Sequence, residues 1–447
     1  MWITDEETEA DLLVAASDLD VTGLYMVHVR FTEAIVETFQ TAFYGRHFSK
    51  LYFYSCSGTD DVLASLRCMT VDELRVDGMS LTDSAALALA GILMEPNSST
   101  PSSSSSASAV GIVQQLVFQD IPLTQPLADA IRIALQGTTT LKSLVWNHGT
   151  SQIPFHHDDE STRSAIDSLI LQGIRNNTSL DTLELNCILS DACVVELLKV
   201  VSTHSTLKKV YLRLQNATQE TRKALEQLFS KREEQKTTTK KAATTTKNLS
   251  LLEHLKLTID GDFIPLCTNL ANNADTFSTS PLRLSLELSS VNTMDDIDHL
   301  GRLLVSNPFI EQLDLGHSGI TNLGFCALAP SLAMAHGLKR LHIYGNSCGT
   351  TGAEAILDAV RANTMLQAVQ LPYQCPLEKQ ITNLADVNRG GRRLLLNTVT
   401  APVALWPRVL ERAGTLQYTL GPLIRGNYPR QVNVVYQLLR ETAALQR

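Results

Sequence analysis

The motif LxxLxL recurs along this chain at a spacing that leaves few folds open. In residues 338–363, LKRLHIYGNSCGTTGAEAILDAVRAN, leucines at 338 and 341 are followed by Ile343, a Gly-marked turn and an apolar pattern of helical spacing. With the central apolar residue as a marker, eleven copies stand at Leu51, Leu74, Leu116, Leu144, Leu183, Val210, Leu255, Leu286, Leu313, Leu341 and Val369. Most steps lie near 28 residues, and three are longer, at 42, 39 and 45. A unit this short offers two or three inward strand residues, too few for a core, so each copy must stack on its neighbours. A chain of 447 residues can therefore form one long solenoid rather than two or three conventional domains.

Between markers the apolar period changes from two to about 3.6. LTDSAALALAGIL, LTQPLADAIRIAL, LSDACVVELLKVV and ITNLGFCALAPSLA each place a Ser, Thr or Asp where a helix N-cap belongs and then space apolar residues three and four apart. Each repeat thus reads as strand, turn, helix and return loop. The long steps contain EPNSSTPSSSSSASA (95–109), NHGTSQIPFHHDDE (147–160) and KREEQKTTTKKAATTTK (231–247), which lack apolar periodicity and read as loops leaving a regular spine.

On these motifs the chain resembles the leucine-rich repeat proteins of the long-repeat, ribonuclease-inhibitor-like type, over residues 45–375. The resemblance implies an α/β solenoid: a horseshoe with a parallel concave β-sheet and convex helices, built from about eleven repeats of about 28 residues. It also implies an Asn or Cys after each strand that ties neighbouring turns together. Here that residue is present at Asn346 and Cys56 but replaced elsewhere by Ser, Gly, Ile, Met or Gln, so looser turns and a less regular register are expected. The expected organisation is an acidic N-terminal cap (1–45), the solenoid (46–375, with insertions near 95–109, 147–160 and 231–248) and an Arg-rich helical C-terminal cap (376–447). In that cap Leu405, Trp406, Val409 and Leu410 would cover the last repeat.

Several function classes are disfavoured. No stretch approaches the roughly 18 apolar residues of a membrane span. The first twenty residues hold seven carboxylates and no Lys or Arg, the reverse of a signal peptide. A cytoplasmic setting is therefore expected, with a nuclear one as the alternative, and the eight cysteines read as reduced thiols. A net charge of −9 argues against nucleic acid as a partner. HHDDE (156–160) has metal-compatible residue types but no completing shell, and NRGG (388–391) lacks the context of a phosphate loop. No cofactor, no metal and no catalytic constellation is expected, and the chain is read as a monomer.

What remains is surface. Strand side chains alternate faces, so the residue after each marker projects from the concave face. From the second copy onward these are Arg75, Val117, Val145, Glu184, Tyr211, Lys256, Glu287, Asp314, His342 and Gln370, with Asp77, Gln119, Asn147, Asn186, Arg213, Thr258, Ser289, Gly316, Tyr344 and Pro372 two positions further on. Tyr and Arg are the residue types that anchor protein interfaces. The expected function is a non-enzymatic scaffold that binds a protein through Arg75, Glu184, Tyr211, Arg213, Lys256, Asp314, His342 and Tyr344. Two alternatives follow from the resemblance: a small-GTPase regulator, as in Ran GTPase-activating proteins, and a ubiquitin-ligase substrate adaptor.

Overall fold

The computed structural model describes residues 2–4, 13, 21–94, 112–121, 124–147, 160–186, 191–215, 218–228, 252–264, 266 and 282–393. The body of each insertion and most of the expected C-terminal cap, Leu405–Leu410 included, lie outside these. The chain divides into two compact units, Met1–Arg213 with Thr238–Glu253, and Leu214–Thr237 with His254–Arg447.

The first unit carries β1 (Trp2–Thr4), β2 (Gly23–Val27), β3 (His47–Tyr54), β4 (Thr70–Asp77), β5 (Ile112–Gln119), β6 (Ser143–Asn147), β7 (Thr182–Asn186) and β8 (Lys209–Leu214, its last residue belonging to the second unit). The second carries β9 (His254–Ile259), β10 (Arg283–Leu288), β11 (Ile310–Asp314), β12 (Arg340–His342) and β13 (Ala368–Gln370). Within each unit every strand pairs in parallel with the next in sequence, and helices such as Asp83–Leu93, Gln125–Gly137 and Asn322–Met334 fill the connections. This is the α/β leucine-rich-repeat solenoid that the motif spacing implies.

The markers of the first unit are literally in register. Leu51 pairs with Leu74, Leu74 with Leu116, Leu116 with Leu144, Leu144 with Leu183 and Leu183 with Val210. In the second unit Leu286, Leu313, Leu341 and Val369 form the same kind of row, but on β9 it is Leu257 that pairs with Leu286; the expected marker Leu255 pairs with Leu284 and stands two residues off the row, on the same face of the strand. All are buried, Leu51, Leu74 and Leu341 with no exposed surface at all. Each therefore removes about 1.5–3 kcal/mol worth of apolar surface from water. The row also extends upstream of the eleven copies, because Leu24 of β2 pairs with Leu51 and β1 pairs with β2.

The expected N-caps form at Thr82, Thr124 and Thr321, whose side chains accept from Ala85, Leu127 and Gly324 N–H groups. The corresponding Ser190 lies outside the described residues. Thr293 adds a capping box with Asp296 that the sequence pattern did not flag.

Register is more regular than the sparse Asn/Cys positions suggest, with one shift among the described strand pairs, at Leu284/Ser285 against β11. Asn346 behaves as expected: its carbonyl accepts from Ile320 N–H at 2.9 Å, and its amide donates to Leu315 O at 2.6 Å and Ile343 O at 3.0 Å. Cys56 donates to Met26 O, and Ser318 substitutes in the same place by donating to Leu288 O. Elsewhere Met79, Ile121 and Val291 plug the position with buried apolar volume. Backbone bonds also carry the ladder past the strand ends, from His28 N to Tyr54 O, Ser55 N to Asp77 O, Gly78 N to Gln119 O and Asp120 N to Asn147 O. All four donors have positive φ, which Gly78 adopts freely and His28, Ser55 and Asp120 adopt at a steric cost.

A second row of polar side chains closes the helix C-termini, whose last carbonyls have no intrahelical partner. Asn177 donates to Leu135 O at 2.7 Å, Asn363 to Leu332 O at 2.7 Å and Asn388 to Asn363 O at 2.9 Å, each reaching the repeat before its own. His204 does the same with Nε2, 3.0 Å from Ile174 O, while Nδ1 accepts from Leu207 N–H. Backbone groups on both nitrogens thus fix the neutral tautomer. Burial is the main cause that lowers the His204 pKa below 6.5, against the raising effect of the carbonyl bonds.

Candidate interaction surface

In each unit the side chains that alternate with the buried markers emerge on the sheet face opposite the helices. On the first unit they build an aromatic and guanidinium cluster. Register places Tyr25 of β2 beside Tyr52 of β3 and Tyr52 beside Arg75 of β4; one position row further, Val27, Tyr54 and Asp77 align. The Tyr25 and Tyr52 rings meet edge to face at 5.8 Å, and His28 meets Tyr54 at 5.3 Å. Tyr52 donates its hydroxyl to Asp77 Oδ2 at 2.6 Å, and Arg75 Nη2 approaches the same oxygen at 3.3 Å with its guanidinium 5.0 Å from the Tyr52 ring centre. Burial, and then the bond to the Asp77 carboxylate, pushes the Tyr52 hydroxyl up to about 12. It stays a donor at any physiological pH.

Further along this unit, Asn186 donates to Asn147 at 2.8 Å and to Glu184 Oε1 at 2.7 Å, which orients the Glu184 carboxylate. Tyr211 is register partner to Glu184, and Tyr211 and Arg213 are half-buried on β8. Val117 and Val145, expected to project, are only 5% and 7% exposed.

The second unit carries an ionic row instead. Lys256 Nζ lies 2.6 Å from Glu287 Oε2, which also accepts from Thr258 at 3.2 Å. Asp314, register partner of both Glu287 and His342, lies 3.0 Å from His342 Nδ1 and accepts from Gly316 N–H at 2.9 Å. Burial would raise the Asp314 carboxyl, but the bonds from His342 and Gly316 and the His342 and Lys256 charges outweigh it and hold it below its ordinary 3.8. Tyr344 stands over Gly316, where a Cβ would come within 2.4 Å of the ring, and meets His317 edge to face at 5.2 Å. Burial and then the Asp314 and Glu287 charges raise its hydroxyl pKa.

The eight residues singled out from sequence therefore fall into two sets, Arg75, Glu184, Tyr211 and Arg213 on the first unit and Lys256, Asp314, His342 and Tyr344 on the second. Tyr25, Tyr52, Tyr54 and His28 were missed, although the same alternation applied to GLYMV and FSKLYFY exposes the three tyrosines. Chemically, the Asp314–His342 pair could orient an imidazole. The nucleophile that would make it catalytic is not within hydrogen-bonding reach among the described residues. Cys348 is pushed up to about 12, by burial first and then by Cys375, and so remains a thiol. Among the described residues no group of three His, Cys, Asp or Glu side chains could hold a metal ion. Residues 156–159 of HHDDE lie outside them. No described helix is long and apolar enough to cross a membrane.

The class defined by this geometry is a leucine-rich-repeat solenoid with a side-chain-rich open sheet face. No protein-family model matches the chain, and no curated protein does. Among solved structures 81 chains match. One is the crystal structure of a TLR13–ssRNA13 complex, with a TM-score of 0.33 and 12% identity, covering 81% of this chain and 52% of that one. This chain thus spans about half the length of that chain, and the fold assignment rests on the repeat register above.

Proposed function

We propose that this protein is a non-enzymatic protein-interaction scaffold that grips a partner with the open, concave face of its sheet. The observation that carries this reading is pre-organisation. Tyr52 and Arg75 on one unit, held by the buried Asp77, and Lys256, Glu287, Asp314 and His342 on the other, are fixed by bonds while remaining partly open to solvent. Side chains held in place before binding lose little entropy on contact, and Tyr and Arg concentrate interface energy in few positions. Arg75, Glu184, Tyr211, Arg213, Lys256, Asp314, His342 and Tyr344 are the proposed contacts, joined by Tyr25, Tyr52 and Tyr54. The six free cysteines among the described residues suit a reducing compartment.

The test is a photo-cross-linking residue placed at Tyr54 or Tyr344 on the open face, and at Leu323 or Glu354 on helices, in cells expressing the full chain. Discrete adducts from the face positions alone are expected. Adducts from the helix positions alone would reject the reading.

A further inference from the structure

Arg75 holds more hydrogen-bonding capacity than its own protein uses. A guanidinium has five N–H donors. Here Nη2 makes one long contact, 3.3 Å to Asp77 Oδ2, and Nε is shielded from solvent with no partner. An arginine serving only to neutralise Asp77 would present its fork to the carboxylate with two parallel bonds. Instead the group lies over the Tyr52 ring, and the Tyr52 hydroxyl takes the shorter bond to Asp77. The outer end of the guanidinium stays open, with the Arg75 side chain 39% exposed against 7% for Asp77. The ionic row of the second unit differs: Lys256 and Glu287 meet at 2.6 Å, and Asp314 accepts from both His342 and Gly316.

We infer that the Tyr25–Tyr52–Arg75–Asp77 cluster is an anchor that reads a carboxylate side chain on an acidic peptide segment of the partner. The carboxylate would take the outer edge of the Arg75 fork. Tyr25 and Tyr54, the latter 37% exposed, would contact apolar groups flanking it. Asp77 opposes a second anion, but its charge is already spread over two donors, and the stack on Tyr52 holds the guanidinium toward solvent. The chain's net charge of −9 gives no long-range attraction for an acidic partner. Selectivity should therefore appear in the equilibrium affinity and dissociation rate rather than in fast association. The inference rests on the open-face scaffold reading.

The experiment uses an array of immobilised nine-residue peptides in matched sets that differ only in a central Glu, Gln or Lys, probed with the full-length chain. The Glu members should bind about tenfold more strongly than their Gln partners, as expected for a forked charge-assisted contact. Arg75→Gln combined with Asp77→Asn removes the guanidinium without stranding a buried carboxylate. This variant should keep its melting temperature and lose the preference, while Glu354→Gln with Asp358→Asn, on a helix, keeps it. Should the double variant fail to fold, Arg75→Lys preserves charge but not the fork or the stack. It should lose most of the preference. Equal binding of Glu and Gln peptides, or an undiminished preference in Arg75→Lys, would overturn the anchor. Face-restricted cross-links at Tyr54 and Tyr344 alongside that result would leave the scaffold reading standing, whereas helix-restricted cross-links would remove both.

Discussion

The two units use one backbone plan to present two kinds of surface. On the first, a buried carboxylate, Asp77, organises a tyrosine and an arginine, with further tyrosines packed beside them. On the second, two neighbouring carboxylates, Glu287 and Asp314, are paired with Lys256 and His342 on either side, and Tyr344 lies beside them. The inward row is leucine or valine in both. The difference teaches that the solenoid separates its duties by strand parity. One parity is fixed by packing, and the other is left to chemistry. Anchors built on aromatic stacking keep their strength in salt, while ionic ones are screened over a Debye length of about 8–10 Å.

Breaking the shared row should cost both units heavily and alike. Leu74→Ala in the first and Leu341→Ala in the second are expected to destabilise by about 2–5 kcal/mol each in denaturant melts, since both are fully buried. A cost under about 1 kcal/mol at either would show that the register there is wrong.

The outward rows should then part company. Asp77→Ala strands the Tyr52 hydroxyl and Arg75 beside a buried site and should cost about 1–3 kcal/mol. Asp314→Ala removes a carboxylate that is more open, 13% exposed against 7% for Asp77, and should cost about 1 kcal/mol or less. Equal penalties would mean that the ionic row is as structural as the aromatic cluster.

Acid should separate the units by pH window. Folded His204 binds a proton less readily than its unfolded form, so its contribution is complete above 6.5 and declines as pH falls through the lowered folded value. Asp314, also lowered, contributes above 3.8 and is lost only as pH drops through its folded value. Hydrogen exchange resolved by peptide should therefore show loosening around His204 at pH values where β11 and β12 remain protected. His204→Asn supplies the same donor and acceptor without titrating, and should abolish that early loosening.

Much of this was legible in the sequence because period-two and period-3.6 patterns report burial directly. The caps at Thr82, Thr124 and Thr321, the tie at Asn346 and the marker row followed from spacing, except on β9, where two apolar residues of the same parity, Leu255 and Leu257, both fit the motif and the register selects Leu257. Less visible were features set by contact between neighbouring repeats. Asn177, Asn363, Asn388 and His204 look like ordinary loop residues until a helix C-terminus from the repeat before is placed above them. β1 and β2 escaped notice because GLYMV carries only the end of the motif and WIT less still. The eight face residues were readable by parity. Their partners were not, since Arg75 with Tyr52 and Lys256 with Glu287 pair across separations of 23 and 31 residues.

The smallest expected effect is that of salt. Raising NaCl from about 0.05 to about 0.5 M should weaken any contact made through Lys256, Glu287, Asp314 and His342, or through the Arg75 fork, by no more than about 1 kcal/mol and leave contacts made by Tyr25 and Tyr54 nearly unchanged.

The central claim, that the outward strand residues are the binding surface, is tested most directly by affinity for the cross-linked partner once it is purified. Alanine at Tyr211, Arg213, His342 and Tyr344 together should preserve the circular dichroism spectrum and weaken binding by at least about tenfold. Alanine at the helix positions Glu354 and Asp358 should leave the affinity unchanged. Full affinity in the quadruple variant, with loss in the helix variant, would contradict the account.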